Sequence, residues 1–566
     1  MTAAWTAALK EMHLQTDLTG GAEIVVSSGT EWGPLAVRLQ ERLRARTGAE
    51  LPIVSGERVA LSHLENRHWV LLGSAVDNPA LAALYRRQYA FVDDFYPGVD
   101  GYVLRTVHNP FNCGHNLLLV GAGQPRGAAA ALDRLDRLLT ENGSPLGYVN
   151  LSHSATHARL LPQISPEDFQ QRTRAAFAAN AGRGPIEQAV SLGLVHHLTG
   201  DTACAAIFRD TLFYYQDLVH DRYGGEFCFE HMLFIYAWTW RLFYVWDLIE
   251  ESDAFSDADR LRMTELLWGL THYVAGLSYF QGREPPPPGI RQNHWTFAGL
   301  SMSFSAGYFA TYYDIDIFAR QLQFCRAIFD GQADCYKPND DGGGGGYCWL
   351  VPNHLLTYDL RLDDERFAAG GHLRRLADYA LLITDNLGSP VGFGDVGSYG
   401  QRRRASTGIA EVLCKAAWHH REGGYLWALD WMGGTPQHGG YYRDLPRREP
   451  TWMTGLSIAP LTPPMHAWVR DNAPGGANIP QEESFDKLTL RDGFGEEDLY
   501  LLLDGTSTFA HGHDDGNSIA VKQYKRGPEI FGSVQQTPLH YNKHLYGVLT
   551  MNAGEAKMQM ICMNTD

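Results

Sequence analysis

A long series of amphipathic and apolar segments occupies the middle of this 566-residue chain and most constrains its fold. Between about Ser165 and Pro460, roughly ten segments show the apolar period of helices, and no strand pattern interrupts them. Some are apolar on nearly all faces, which suits helices that are buried on both sides. Helices that pair in sequence pack into a ring, so we predict an incomplete (α/α) toroid over residues 160–465.

The first region alternates strand and helix patterns. Strands are predicted at 22–27, 68–73, 101–107 and 116–121, and helices at 32–47 and 127–139. The last two strands are expected to pair as a hairpin. This order resembles the small accessory domain that precedes the catalytic barrel in family 20 hexosaminidases and α-glucuronidases. The resemblance implies a small α/β sandwich over residues 1–150, without chemistry of its own.

Strand patterns return near residue 480. The segments 485–494, 499–504, 518–524 and 529–532 alternate or run apolar at strand lengths. We predict the start of an antiparallel β-sandwich over residues 480–566. Only about five strands fit before Asp566, so the sandwich is expected to be truncated. The predicted fold class is therefore multidomain α+β.

Charge and composition restrict the partners of the chain. Its 47 Lys and Arg against 64 Asp and Glu give a formal net charge of −17. This argues against nucleic acid, because phosphate binding needs clustered basic side chains. It also weighs against a heavily sulfated substrate. The 14 Trp and 27 Tyr are typical of a protein that handles carbohydrate, although most of these rings are expected to fill cores.

The sequence carries no recognisable secretion or membrane signal. Its start has no basic region followed by an apolar run, and no stretch is long and apolar enough to span a bilayer. The eight cysteines form no C-x-x-C pair, which is typical of free thiols in a reducing compartment. We predict a cytoplasmic protein, or a secreted or periplasmic one whose export signal has been removed. No membrane partner is expected, and the oligomeric state is not predicted.

The stretch Gln292-Asn293-His294-Trp295 follows a proline-rich break at 284–289 and begins a helical segment. An Asn amide can donate to a carboxylate without carrying a charge, and an imidazole titrates near neutral pH. A helix N-terminus also favours an anion. The pair is therefore a candidate for binding an acidic group, with a simple helix cap as the alternative.

Tyr347 follows five consecutive glycines at 342–346. Such a run is a poor helix and lets the backbone approach a ligand closely. A phenol on this loop can donate a proton to a leaving oxygen or, if ionised, remove a proton. The alternative is that the glycines form a linker and the ring packs beneath it.

The third motif is His511-Gly512-His513-Asp514-Asp515. Either imidazole is a candidate for proton transfer or substrate contact, and Asp515 could orient a ring through its N–H. Two His and two Asp within five residues also suit a zinc or manganese site. The residues leave both interpretations open.

The order and spacing of these motifs, 53 positions from His294 to Tyr347 and 166 from Tyr347 to His513, resemble the heparinase II/III-like polysaccharide lyases. That superfamily includes exo-acting alginate and heparin lyases, and the third motif is similar to its H-x-H-x-D-x-x-S signature. The resemblance implies β-elimination at a uronic-acid-containing glycan, giving a C4–C5 unsaturated uronate at the new non-reducing end. It implies His294, Tyr347 and His513 as catalytic residues, Asn293 and His511 as substrate-binding residues, and no required cofactor. Some of these lyases carry a structural divalent metal in the β-sandwich domain.

Three further side chains are candidates for binding substrate. Arg183 lies in a Gly-Arg-Gly-Pro stretch that is predicted to be a loop, and arginine binds carboxylates bidentately. Trp240 and Arg241 lie in a strongly aromatic helix predicted at 231–249 and could line a sugar cleft. Solvent exposure and core packing are the alternatives.

Two other functions stay open. A hydrolase on an (α/α) barrel, such as an unsaturated glucuronyl hydrolase, needs two carboxylates, and Asp340, Asp341 and Asp395 are available. A non-catalytic glycan-binding protein would bind sugar without turnover. The His and Tyr content of the motifs favours elimination. The sequence does not identify the uronate polymer. An N-terminal accessory domain could close one end of the substrate cleft, which favours exo over endo action without establishing it.

Overall fold

The computed structural model describes residues 8–179, 181–223, 235–287, 289, 291, 293–336, 347–362, 366–388, 390, 405, 407–435, 445–472, 480–483, 485–496, 498–504, 519–522, 548–550 and 557–559. The chain divides into two compact units. The first comprises Met1–Arg283 and Leu300–Gln323, and the second comprises Glu284–Gly299 and Phe324–Asp566.

The first unit begins with a six-stranded mixed sheet. Its strands are β1 (Glu23–Val26), β2 (Ile53–Ser55), β3 (Trp69–Gly73), β4 (Tyr102–Val107), β5 (Leu117–Ala122) and β6 (Asn150–His153), in the order β2-β1-β3-β5-β4-β6. The first three and β5 run parallel, whereas β4 is antiparallel to both neighbours. The predicted pairing of β4 with β5 is confirmed, with Leu104 opposite Val120. The short edge strands β2 and β6 are additional to those predicted.

Two helices supply the apolar layer beside this sheet. They are α1 (Gly33–Thr47) and α3 (Pro125–Asn142), with the short α2 (Pro79–Arg86) between them in sequence. Leu39 and Leu43 of α1 and Leu135 of α3 join Ile24 and Leu72 of the sheet in one buried cluster. Burial of each such side chain stabilises the fold by about 1.5–3 kcal/mol. The predicted α/β accessory region therefore has a core of its own.

Helices dominate the chain after β6. They are α4 (His157–Leu160), α5 (Pro166–Ala178), α6 (Arg183–Thr199), α7 (Thr202–Tyr223), α8 (Ile235–Ile249), α9 (Asp257–Ala275), α10 (Asn293–Tyr313), α11 (Ala319–Ala333), α12 (Tyr347–Leu362), α13 (Arg366–Ala369), α14 (His372–Leu382), α15 (Thr407–His420), α16 (Gly424–Trp431) and α17 (Pro463–Asn472). The predicted helical series is confirmed. Closure of these helices into a toroid stays a prediction.

A buried arginine joins the sheet to the helices of the first unit. Arg105 on β4 donates from Nε to Asn150 Oδ1 at 3.0 Å and from Nη2 to the carbonyl of Leu198, in α6, at 3.2 Å. The last carbonyls of a helix lack partners within the helix, so this contact satisfies one of them. The side of the sheet that carries Arg105 is thus attached to α6.

An antiparallel sheet lies in the second unit, and it begins earlier than predicted. Its strands are β7 (Gly455–Pro460), β8 (Phe485–Arg491), β9 (Tyr500–Asp504) and β10 (Ile519–Lys522), in the order β10-β9-β8-β7, and β11 (Val548–Thr550) pairs separately with β12 (Lys557–Gln559). The interpretation of residues 455–460 as part of an uninterrupted helical region is wrong. This edge strand ends in proline and leaves Leu456 and Ile458 exposed, so it lacks a strong strand pattern.

Arg491 joins this sheet to α14. It is almost completely buried, donates to the side-chain oxygen of Asn386 at 3.0 Å and to the carbonyl of Leu381 at 3.2 Å, and also donates to the carbonyl of Thr384. The guanidinium lies 4.3 Å from the Phe494 ring centroid. Burial lowers the pKa of Arg491 to about 10, which still leaves it charged at neutral pH.

The observed architecture confirms the α+β class, with an N-terminal sheet region, a helical region and a C-terminal antiparallel sheet. The second layer of the sandwich and the boundaries 1–150, 160–465 and 480–566 stay predictions. Within the described ranges, no helix combines the length and hydropathy needed to cross a bilayer. Among the cysteines whose side chains are described, those at 113, 204, 325, 335 and 414 are free thiols.

Candidate active site

Asn293 and His294 are the first two residues of α10, as the sequence predicted. The Asn293 side chain is only 1% exposed. Its Oδ1 is buried and accepts no hydrogen bond from the described part of the chain. A buried polar atom without a partner costs about 1–3 kcal/mol, so a donor from a ligand would be favourable here. The positive end of the helix dipole lies at the same place.

Thr296 connects this first turn to another helix. Its hydroxyl donates to the carbonyl of Asn293 at 3.0 Å and lies 2.9 Å from Nδ1 of His354 in α12. The Phe297 ring lies 4.3 Å from the His354 ring, centroid to centroid. His354 is 5% exposed and Thr296 is fully buried. The first turn of α10 is therefore held by His354, which was not among the predicted site residues.

Tyr347 is the first residue of α12, in the same helix as His354. Tyr347 was predicted to lie on the glycine loop, but it is the first residue of the helix. The glycines at 342–346 and the Tyr347 side chain lie outside what the structure describes. His354 follows Tyr347 by seven positions, or about two helical turns, and that interval is the signal that could have identified it.

Close packing fixes the start of α12. Asn353 donates from Nδ2 to the Trp349 carbonyl at 2.6 Å and to the Gly408 carbonyl, in α15, at 3.2 Å. A side chain at Gly408 would place its Cβ 2.7 Å from Trp349 Cβ, so only glycine allows this approach of α15. The helix that carries Tyr347 and His354 is thus anchored on a third helix.

Arg291 lies two positions before Asn293 and was not among the predicted site residues. Its guanidinium is 5.4 Å from the Trp295 ring centroid, and Nη2 donates to the Pro287 carbonyl at 2.5 Å. Burial lowers the pKa of Arg291. The proline-rich segment is held at Gly289, whose carbonyl accepts from Gln332 Nε2 at 3.1 Å. Arg291 therefore places a half-buried cation close in sequence to the Asn-His pair.

The remaining predicted substrate-binding residues with described side chains belong to the first unit. Arg183 is the first residue of α6 and not a loop residue, because Pro185 is compatible with a first helical turn. It is exposed and pairs with Glu187 at 2.7 Å. The Trp240 ring, half-buried, lies 5.5 Å from that of Phe304, and the exposed Arg241 guanidinium lies 5.2 Å from the same indole. Their contact with substrate stays a prediction.

His511, His513 and Asp515 lie outside the described residues, as do Asp340, Asp341 and Asp395 of the hydrolase alternative. Across the described ranges, no group of three or more His, Cys, Asp or Glu side chains is arranged to hold a metal ion. Of the predicted residues, Asn293 and His294 lie together at the start of α10. Thr296 and His354, which were not predicted, contact this turn through hydrogen bonds.

Comparison with known proteins gives weak likenesses only. No family model matches the chain, and no curated protein matches it. Among solved structures, the heparan sulfate lyase HepC from Pedobacter heparinus is similar with a TM-score of 0.35 and 12% identity. A mutant of HepC gives 0.36 and 13%. Each comparison covers 67% of this chain and 51% of the other, so the chain spans about half their length. At these TM-scores the likeness carries no argument about fold or chemistry.

Proposed function

We propose that the chain is a polysaccharide lyase that cleaves a uronic-acid-containing glycan by β-elimination. The product would carry a C4–C5 unsaturated uronate at its new non-reducing end. The observation that carries the proposal is the buried Asn293 amide, whose Oδ1 lacks a partner among the described residues, beside His294 at the positive end of α10. The three motifs and their spacing supply independent support from the sequence.

The chemistry needs three groups. A base removes the proton on C5, the electron pair of that C–H bond forms the C4–C5 double bond, and the bond from C4 to the glycosidic oxygen breaks. An acid then protonates the leaving oxygen. The C5 proton is very weakly acidic while the neighbouring carboxylate is charged. Neutralising that carboxylate is therefore the first requirement.

Asn293 is suited to this neutralisation. A primary amide offers one acceptor oxygen and two N–H donors, and a protonated carboxyl group offers one donor and one acceptor. The two groups can form a pair of hydrogen bonds, with Oδ1 of Asn293 accepting from the carboxyl O–H. Such a pair holds the uncharged form of the substrate, in which the C5 proton is more acidic. The buried, unpartnered Oδ1 supports this assignment.

The acid and the base are assigned to Tyr347, His294 and His513. Tyr347 is the first residue of α12. His354 of the same helix contacts Thr296 in the first turn of α10. A phenol is able to protonate the leaving oxygen, and an imidazole titrates near the working pH of most enzymes. The third motif would supply His513, with His511 as a neighbouring substrate contact. No metal is required for this mechanism.

The charge of the chain favours unsulfated substrates. A net charge of −17 weighs against the attraction of a heavily sulfated, strongly anionic polymer. One carboxyl group per uronate needs only local groups, and Arg291 and Asn293 are near one another in sequence. Alginate, hyaluronan, heparosan and glucuronans are therefore the substrates to test first.

Ultraviolet absorbance tests the proposal directly. The protein is incubated with each uronate polymer and with a neutral glucan as control. Elimination creates a conjugated double bond that absorbs, whereas hydrolysis and binding do not. Mass spectrometry of the products provides a second readout, because hydrolysis adds the mass of one water across the cleaved bond and elimination adds none. Products with the hydrated mass, or no turnover of any uronate, would contradict the proposal.

A further inference from the structure

The Thr296 hydroxyl lies between two groups that both can accept a hydrogen bond. One is the Asn293 carbonyl at 3.0 Å, and the other is Nδ1 of His354 at 2.9 Å. A hydroxyl has one hydrogen to donate and can also accept. If the hydrogen goes to the carbonyl, His354 must carry its own hydrogen on Nδ1. All three groups are then satisfied at once, in a chain that runs from His354 through Thr296 to Asn293.

We infer that His354 is a positioning residue, which holds the Asn293–His294 turn through the Thr296 hydroxyl and carries its proton on Nδ1. The inference rests on the proposed function for its catalytic consequence. The hydrogen bonds themselves do not depend on that function. His354 is separated from Thr296 by 58 positions, so the contact is between helices and not within one.

The contact between Thr296 and His354 restrains the position of α12 relative to α10. His354 lies seven residues after Tyr347 in α12, which is about 10 Å along a helix that rises about 1.5 Å per residue. Thr296 lies within the first turn of α10. A bond between them therefore fixes how far α12 can slide along α10, and with it the separation of Tyr347 from Asn293. A misplacement of about 1 Å can cost roughly 100-fold in rate.

Burial makes the bond persistent. Thr296 is fully buried, His354 is 5% exposed, and the Phe297 ring packs on the imidazole at 4.3 Å. Water therefore does not compete for the hydroxyl or for Nδ1. Chains of buried hydrogen bonds also strengthen one another at low dielectric. Removal of either side chain would loosen one helix against the other without touching the residues assigned to proton transfer.

Four single variants and one double variant test the positioning role by kinetics on whichever uronate polymer the wild type cleaves. Thr296→Val and His354→Leu remove one link each, and both should lower kcat about 10- to 100-fold with KM changed less than about threefold. Thr296→Ser keeps the hydroxyl and His354→Asn keeps a donor near Nδ1, so both variants should retain most of the wild-type kcat. The double variant Thr296→Val/His354→Leu should be no slower than either single one, because both remove the same link.

The matched control is Thr271→Val. Thr271 is also fully buried and donates to a carbonyl four residues earlier, at 2.8 Å, but it lies in α9 of the first unit. Its loss should leave kcat unchanged. Wild-type kcat in Thr296→Val, or a loss in all four variants that simply follows their melting temperatures, would overturn the positioning role.

The proton position provides a readout that needs no activity. Nitrogen NMR of histidine-labelled protein, with the His354 signal identified by its absence in His354→Asn, should show a protonated Nδ1. An unprotonated Nδ1 would overturn the inference even in an active enzyme. Conversely, a chain with no lyase activity on any uronate would defeat the proposed function, and the protonated Nδ1 would still support the structural part of the inference.

Discussion

The ammonium group of Lys10 lies 3.0 Å from Glu250 Oε2 and 2.8 Å from Glu251 Oε1, closed off from solvent within the first unit. The Tyr308 hydroxyl donates to the same Glu250 oxygen at 2.6 Å, and the Tyr312 ring centroid lies 4.2 Å from the ammonium. Burial favours the neutral lysine, but the surrounding carboxylates outweigh it, so the pKa of Lys10 lies well above its ordinary value. Burial also raises the pKa of Glu250, and Lys10 opposes that shift. The segment before the sheet is thereby attached to the end of α8.

Loss of Lys10 should destabilise the first unit strongly. Lys10→Met leaves buried carboxylates without their cation, which typically costs about 3–5 kcal/mol in the free energy of unfolding. The control is Arg44→Met, which removes the exposed pair of Arg44 with Glu50 and should change stability by less than about 0.5 kcal/mol. Urea denaturation followed by circular dichroism measures both. Equal midpoints for the two variants would contradict the prediction.

The same cluster should make the protein sensitive to alkali. The pKa of Lys10 is raised above 10.5 and that of Tyr308 above 10.0 in the folded chain. Above about pH 10, the unfolded chain releases these protons and the folded chain keeps them, so stability falls as pH rises. Below about pH 10 both groups keep their protons in the folded and the unfolded chain, so their contribution to stability is fully present there. Thermal melts from pH 8 to 11 should show this fall, and the fall should be shallower in Lys10→Met.

Tyr347→Phe should lower kcat by about 10²- to 10⁴-fold, since a general acid–base group usually contributes that much. The substitution removes only the phenolic oxygen, so the melting temperature should stay near that of the wild type. Tyr358→Phe is a matched control in the same helix, where the ring stacks on Phe329 at 4.2 Å. Wild-type turnover in Tyr347→Phe would remove Tyr347 from the mechanism.

Asn293→Ala and His294→Ala should both depress kcat more than they raise KM. The reason is that the interaction with the carboxyl group strengthens as the transition state develops enolate character. Initial rates over a range of substrate concentrations separate the two constants. A change confined to KM would indicate uniform binding of substrate and transition state, and the activating role would then be wrong.

His513→Ala distinguishes direct catalysis from a structural metal site in the third motif. If His513 acts on the substrate, turnover should be lost, the melting temperature should be kept, and chelators should have no effect. If the motif holds a metal, substitution should lower stability, because metal-binding energy is also folding energy. Elemental analysis of the purified protein is the independent check. Stoichiometric metal that disappears together with stability in His513→Ala would contradict direct catalysis.

Local patterns in the sequence predicted most of the helices and strands. The bounds of α1 and the positions of β4 and β5 follow from apolar periods of 3.6 and 2 residues, which depend only on near neighbours. The start of α10 at Asn293 was also predictable, because a proline-rich break precedes it. The edge strand β7 was not predicted, because its exposed leucine and isoleucine and its terminal proline give no local strand pattern. The strand is stabilised by its pairing with β8.

The sequence by itself determined the order of helices and strands, the net charge, and the residue types that could carry β-elimination. Only the tertiary structure decided which side chains distant in sequence meet. It joined His354 to Thr296 across 58 positions, Lys10 to Glu250, and Arg491 to the end of α14. Periodicity reports which face of a segment is buried but not which partner covers it. The partner is selected by packing between segments that are distant in sequence, where a buried polar group must find a complement.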